Sequence, residues 1–453
     1  MATITIPWND GSGDNITLTY DSMSGNQAIT VYSDEYTGTV ADRTKTITFT
    51  TDVGNVTKTL TIVQEKVAEQ YIVFEDAAMG QICATKWGDG VGIYPSQAAA
   101  VKSIPQNFVY NNTTITSFQE LVYFTGVTSI GSQVFRGCTS LMTIGIPPNY
   151  TSRGSASNMF VSAPIDKMYL VNLENFLLID WSAVANTPGY SSSGIHLYLN
   201  DVEITTVVIP STVTAIKAYA FYRCKYLTEI TLHSSVTSVG SNAFNGCTVL
   251  VNLTIPSSVT SVSATAVAGS GSGTGALTIG GNYSVNTALS QLSYTDVYVN
   301  GNFSCGSSGN YCGVDIGKSL TLKTLRIGGN LTISASQSNR ALLLRSSGSS
   351  GQSFAFLEIG GTITLSAGSG YLIGSNAALS TGGAVVHFAY NGLVCSTVPS
   401  GLSLSRVTAI YVGDGSSAAN DDAVLALYTS SSAWSSLSGK LATWYSYNGD
   451  YKK

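Results

Sequence analysis

Seven cysteines, three histidines and a thin scatter of acids are the groups with which this chain could do chemistry. The cysteines stand at 83, 138, 224, 247, 305, 312 and 395, an odd number with no CxxC pair. Their spacing indicates neither a disulfide framework nor a zinc site. His196, His233 and His387 each stand alone in or beside a strand-like stretch, as ordinary coil or loop positions rather than as bases with an assembled partner. Acids cluster in "SDEY" (33–36) and "NDD" (420–422), while Glu229, Lys323 and Arg326 occur singly, short of the paired groups that glycan cleavage needs. No GxSxG, HExxH or phosphate-loop pattern occurs. These residues predict no catalytic, cofactor-binding or metal site.

Three of the cysteines belong to a phrase written three times, Phe-x-x-Cys-x-x-Leu followed by alternating Ile and Leu. Its members are Phe135, Cys138 and Leu141, then Phe221, Cys224 and Leu227, then Phe244, Cys247 and Leu250. The last two copies are offset by 23 residues at every position, a period of the leucine-rich-repeat range. Stacking successive coils about 4.8 Å apart brings Cys224 near Cys247. Stacked side chains point in parallel, however, whereas a disulfide needs converging ones with a torsion of about 90°. Buried free thiols acting as small apolar wedges are therefore expected.

The elements that must hold this phrase are β-rich. Only 10% of the 453 residues are charged, against about a quarter in an average domain, and Gly, Ser, Thr, Val and Tyr dominate, the last with 25 copies. The length fits several domains or one elongated array, and the composition favours the array and an extracellular setting. A net charge of -5, with Lys452-Lys453 the one adjacent basic pair, excludes nucleic acid as a partner. No apolar run is long enough to span a bilayer, so membrane insertion is not expected. Met1 leads straight into strand alternation without a leader pattern, which predicts release without a secretion signal, or a signal already removed.

Residues 1–65 alternate as five strands, "TITIPW", "NITLTY", "QAITVYS", "TKTITFTT" and "TKTLTIVQE". Together with the closing "KTLTIVQE" they resemble the BACON-type immunoglobulin-like domains, which implies a small β-sandwich. Residues 66–125 resemble the helical adaptor and N-terminal cap that precedes BspA-like repeats, including an EF-hand- or dockerin-like loop. In that loop only Asp89 is acidic and Gln97 stands where a bidentate Glu belongs, so a cap without calcium is expected. Residues 126–268, with Cys three places ahead of the first Leu and "IPSSVTSVGSNAF" after it, resemble BspA-like leucine-rich repeats. Between the first and second units, "LYLND" is expected to make a hairpin arm before "ITTVVIP" resumes the array.

Over 269–412 the phrase becomes "ALTIGGNYSV", "VYVNGNFSC", "LRIGGNLTIS" and "LEIGGTITLS", strands that bend at glycine and predict an irregular β-solenoid continuing the same sheet. Residues 413–453 are expected to be a helical C-terminal cap, with Asn420 or Asp421 at its start and Trp434, Leu437, Leu441 and Trp444 on one face. The fold class is thus mainly β: an immunoglobulin-like sandwich, then a leucine-rich-repeat solenoid with a small helical cap. Arrays of this kind present binding surfaces. BACON-like and BspA-like modules also occur on structural proteins of phages of gut Bacteroidetes. The resemblance therefore implies a non-enzymatic virion-surface structural or adhesion protein, a head or tail fibre or decoration protein. Its expected partners are a host-surface glycan or protein, or other virion proteins, with homo-oligomerisation left open. The alternative is a bacterial cell-surface BspA-like adhesin, and behind both stands a polysaccharide-active solenoid enzyme.

Overall fold

The computed structural model describes residues 2–7, 15–20, 30–33, 43–50 and 57–64. From residue 69 onward it describes all except 152–156, 182, 286–288, 291–292, 308–310, 316–321, 336–339, 346–355, 366–369, 374–383, 390–406 and 448–453. The "SSGSSGQS" cassette, most of "SDEY", Cys395 and the Lys452-Lys453 pair lie outside the described residues, and of Cys305 and Cys312 only the backbone is described.

Met1–Ile72 form one compact unit. Ala2–Pro7, Asn15–Tyr20 and Thr30–Ser33 pair as an antiparallel three-stranded sheet, and Arg43–Thr50 pairs antiparallel with Thr57–Gln64. Alternation turns every second side chain inward, and Ile16 is buried against Ile6, Ile47 and Ile62, drawn from both sheets. These pairings show five strands in two sheets; they do not show an immunoglobulin-like strand order.

Val73–Lys453 form the second unit. It opens with a helix, Ala77–Trp87, which buries Met79, Cys83 and Ala84. Asp76 caps it by accepting the Met79 N–H at 3.0 Å, while its other oxygen takes the Thr116 N–H at 2.6 Å and so ties the helix to the first coil. The two side chains with calcium-loop positions serve local structure. Asp89 Oδ1 accepts the N–H groups of Val91 and Gly92, and Gln97 Oε1 accepts that of Tyr94 at the start of the short helix Pro95–Ala100.

The repeated phrase folds as one turn of coil. Two residues before each Phe and two after it, the backbone enters the left-handed region, at Gln133 and Gly137, Tyr219 and Arg223, Asn242 and Gly246. The cysteine N–H then closes the turn on the carbonyl of the Phe three residues back. The same pair of left-handed residues brackets Val109, as Asn107 and Asn111, and Phe160, as Asn158 and Ser162. In those coils Asn112 and Ala163 take the cysteine's place in the turn. Among the described residues the array therefore has five such turns, and the segment between the first and second copies of the phrase supplies coils of its own. Met168 lies in register between Ile144 and Leu197, all three buried.

Parallel ladders join the coils. Ser117–Phe118, Thr143–Gly145, Lys167–Leu170 and His196–Leu199 form one sheet, closed by the antiparallel strand Val202–Ile204. That hairpin is the arm expected from "LYLND". A long ten-stranded sheet then runs from Thr206–Val208 to Leu441–Thr443. It passes from the leucine-rich coils into the Gly-Asn coils without a break, because Asn252–Ile255 pairs with Ala276–Ile279 in register, Leu253 against Leu277. Among the described residues, the four coils that begin with Ala276–Ile279, Asp296–Val299, Thr324–Ile327 and Phe356–Ile359 each contribute to two further parallel sheets.

The Gly-Asn turns stack by a carboxamide ladder. Asn282 Oδ1 accepts the Asn302 N–H at 2.7 Å, Asn302 Oδ1 that of Asn330 at 2.8 Å, and Asn330 Oδ1 that of Thr362 at 2.9 Å. The glycines let the turns approach this closely: a Cβ on Gly329 would stand 2.7 Å from the Gly301 carbonyl carbon and oxygen and 2.5 Å from Asn302 Oδ1.

The C-terminal cap departs from its expected form in two ways. Ser417, not Asn420 or Asp421, caps the helix Ala418–Ser430, accepting the Asn420 N–H at 3.2 Å. Asp421 sits one turn in and is fully buried, where its carboxylate takes the N–H groups of Gly415 and Tyr445. Trp434, Leu437, Leu441 and Trp444 do not share one helical face. Trp434 and Leu437 lie on the 3-10 helix Ser432–Lys440, Leu441 begins a strand, and Trp444 begins a 3-10 turn. The open edge of Val407–Val412 needs backbone partners, and Leu441–Thr443 provides them as the last strand of the sheet.

Candidate binding surface

The repeat residues Phe135, Cys138, Leu141, Phe221, Cys224, Leu227, Phe244, Cys247 and Leu250 are all buried in the solenoid interior. Phe221 and Phe244 stack with ring centroids 5.9 Å apart and planes within 9°. Cys83, Cys138, Cys224 and Cys247 are free. Cys138 donates its S–H to the Val109 carbonyl at 3.0 Å, and Cys247 to that of Phe221 at 3.2 Å, each one coil back. Burial pushes the Cys138 thiol up to about 11 and the Cys224 thiol to about 12, and raises Cys83 and Cys247 as well. Protonated, buried thiols are poor nucleophiles and poor metal ligands.

What the solenoid offers to solvent is the outward face of its sheets. On the first sheet Tyr169 and Tyr198 are in register and stacked, centroids 4.5 Å apart and planes within 10°. On the same face Lys167 is in register with His196, whose ring stacks on Tyr226 at 3.4 Å. Glu203, on the hairpin arm, joins both rows. Its Oε1 meets His196 Nδ1 at 2.6 Å and its Oε2 accepts from the Tyr198 hydroxyl at 3.4 Å. Burial raises the Tyr169 phenol, and Tyr198 with the charges of Glu75, Asp201 and Glu120 pushes it the same way. The Tyr198 phenol is raised by burial, by Glu203 and by Asp166.

On the long sheet one outward row runs Thr231, Thr254, Thr278, Tyr298, Arg326, Glu358, His387 and Tyr411, each in register with the next. The first part is exposed and hydroxylated. Further along, the Arg326 guanidinium lies 5.9 Å from the Tyr298 ring and 5.3 Å from Phe356. The row then passes beneath the C-terminal segment. His387 is buried, with Nδ1 3.0 Å from Glu358 Oε2 and Nε2 2.7 Å from the Gly413 carbonyl, and its ring stacks 3.8 Å from Trp444.

Two of the three histidines thus have acidic partners, contrary to the expectation that each stands alone. Glu203 is seven residues from His196 across a hairpin, and Glu358 is 29 residues from His387 on the adjacent strand, so register rather than sequence spacing unites them. His387 is shut under Trp444, and His196 is bonded to a carboxylate with a tyrosine across its face. Ser235 meets His233 within one turn, where Nδ1 accepts the Ser235 N–H at 3.1 Å. Among the described residues no group of three or more His, Cys, Asp or Glu is placed to hold a metal ion. A groove of about 820 Å³ between the helix Ala77–Trp87 and the first coil is lined by Gln81, Thr85, Lys86, Gln106, Asn107 and Phe108 among others, without a carboxylate. No described helix is long and apolar enough to cross a membrane.

Comparison with known proteins speaks to the repeats. No curated protein matches this chain. Among solved structures, a leucine rich cell surface protein from Faecalibacterium prausnitzii is 14% identical, over 50% of this chain and 82% of its own, with a TM-score of 0.18. A leucine-rich repeat protein from Bacteroides ovatus is also 14% identical, over 87% of this chain and 89% of its own, with a TM-score of 0.23. At such scores neither superposition carries an argument about this chain. The family model for the BspA type leucine rich repeat region matches in six copies over residues 102–176 and 194–274, the stretch that holds the five bracketed turns and the arm. Residues 102–176 and 194–274 thus match the BspA type leucine rich repeat region, and the long sheet runs on from them in register.

Proposed function

We propose that this chain is a non-enzymatic recognition scaffold of the cell-surface adhesin type. The observation that carries this reading is the division of labour in the solenoid. Its four described thiols and His387 are buried, while tyrosines, threonines and charged side chains are held in straight outward rows. Rigid aromatic and hydrogen-bonding groups at fixed spacing suit recognition of an extended partner, a host-surface protein or glycan, without asking any group to react. The cell-surface setting follows from the class of the repeats. Neither the repeat match nor the fold speaks for a virion, an expectation that rests on the resemblance to modules of phage structural proteins and on Met1 leading straight into a strand.

The test is to incubate the full chain with host epithelial cells and mucin, and in parallel to probe intact cells of the producing bacterium with antibody against the chain. Saturable binding, antibody access and no new reducing ends or peptide fragments are expected. Depolymerisation of the polysaccharide would overturn the reading, and so would absence of binding to any surface.

A further inference from the structure

We infer that the outward face of the first sheet, around Tyr169, Tyr198 and Glu203, is a docking site for a basic protein segment bearing Lys or Arg side chains. This inference rests on the reading of the chain as a recognition scaffold and specifies the chemistry of its partner. The face is partly apolar and partly acidic. The Tyr169–Tyr198 stack and the exposed Val171 and Val202, on the neighbouring strand end and the arm, supply the apolar part. Exposed Asp201 and Glu203 on the arm and half-buried Asp166 at the start of the middle strand set three carboxylates against Lys167, so the patch is negative.

Such a face matches the two parts of a long basic side chain. The methylene stem of Lys or Arg lies along aromatic rims, and its head reaches carboxylates and phenolic oxygens. A neutral glycan would leave the negative field unused. An acidic partner would be repelled by it. The arm fixes the geometry, because Glu203 is held at once by His196 and Tyr198 and cannot turn away without breaking both bonds.

The experiment immobilises the full chain and measures binding of a Lys/Arg-rich peptide, the same peptide with Glu at every basic position, and dextran. Preference for the basic peptide is expected, weakening as salt shortens the Debye length from about 10 Å at 0.1 M to about 3 Å at 1 M. Tyr198→Ala should weaken binding about tenfold, as loss of a central aromatic anchor does. Glu203→Gln and Asp201→Asn should each weaken it about two- to fivefold. Asp422→Asn, the same change of charge on the exposed face of the C-terminal helix, should leave it unchanged. Equal effects of Glu203→Gln and Asp422→Asn would overturn the inference, as would equal binding of the acidic peptide or dextran. If Tyr198→Ala does not fold, the two exposed carboxylate variants carry the test. Binding to host cells that persists unchanged in all face variants would sink this inference and leave the scaffold reading standing; no binding to any surface would sink the scaffold reading itself.

Discussion

The thiol of Cys247 donates to the carbonyl of Phe221, one coil back, and the ring of Phe221 lies flat against that of Phe244, which shares a turn with Cys247. Backbone, thiol and aromatic ring thus repeat together from coil to coil. The cysteine is small enough for the interior and polar enough to give a second donor to a carbonyl that already accepts the Cys224 N–H. Cys247→Ala should lower stability by about 1–2 kcal/mol, combining a lost weak hydrogen bond with a small cavity. Urea melts of the two chains would measure it.

The same burial makes stability depend on alkaline pH. The folded thiols are raised above the ordinary value of 9.0, to about 11 for Cys138 and about 12 for Cys224. Their contribution is full below pH 9, where both folded and unfolded thiols are neutral. It is lost between pH 9 and about 12, as the unfolded chain ionises and the folded one does not. The melting temperature should fall across that window, and less steeply in Cys224→Ala. An equal slope in both chains would contradict the assignment.

Glu120 titrates at the other end of the scale. Burial raises its carboxyl above the usual range, and the charge of Glu75 adds to this, while the Glu75 N–H bond to Oε1 opposes it. A raised carboxyl contributes stability below its unfolded value of about 4.5 and loses it as pH rises through the folded value. Glu120→Gln keeps the acceptor for the Glu75 N–H and removes the buried charge. It should therefore melt higher than the parent chain at pH 7, by about 1 kcal/mol, and the difference should vanish near pH 4. Thermal melts at the two pH values check this.

The array itself was legible where the phrase kept its consonants. Phe135, Phe221 and Phe244, each with its Cys and Leu, mark three turns from residue types alone. The other two turns, around Val109 and Phe160, were not read, because Asn112 and Ala163 stand for the cysteine. What they preserve is the left-handed backbone on either side, at Asn107 and Asn111 and at Asn158 and Ser162, where Asn is well tolerated. The binding face was illegible for a different reason. Tyr169 meets Tyr198, and Glu358 meets His387, through register between strands 29 residues apart, and outward positions carry no apolar period to betray them. The cap misled because a 3.6-residue spacing of apolar side chains was available in a segment whose backbone was needed for the last strand.

The ladder of carboxamides gives a local prediction. Asn302→Ala removes the acceptor for the Asn330 N–H and should cost about 1 kcal/mol. Gly301→Ala should cost more, since its Cβ would stand 2.6 Å from the Gly281 backbone. Hydrogen exchange should show the loosening in residues 296–335, with Thr206–Ile255 unaffected.

Trp444 covers the buried end of the outward row, stacking on His387 and lying 5.7 Å from the Tyr411 ring. Trp444→Ala should cost about 3 kcal/mol and open the last strands to limited proteolysis before the leucine-rich coils. Cleavage that begins instead within residues 102–274 would count against a separate cap.

The central claim is that the solenoid recognises a partner through the outward face of its first sheet, around Tyr169 and Tyr198, and transforms nothing. It is tested most directly by measuring binding of the full chain to host epithelial cells beside the Tyr169→Ala/Tyr198→Ala variant, with the supernatant assayed for released sugars and peptides. The account predicts saturable binding by the parent chain, at least tenfold weaker binding by a folded variant, and a supernatant without released fragments. Unchanged binding by the variant, or fragments released by the parent chain, would contradict it.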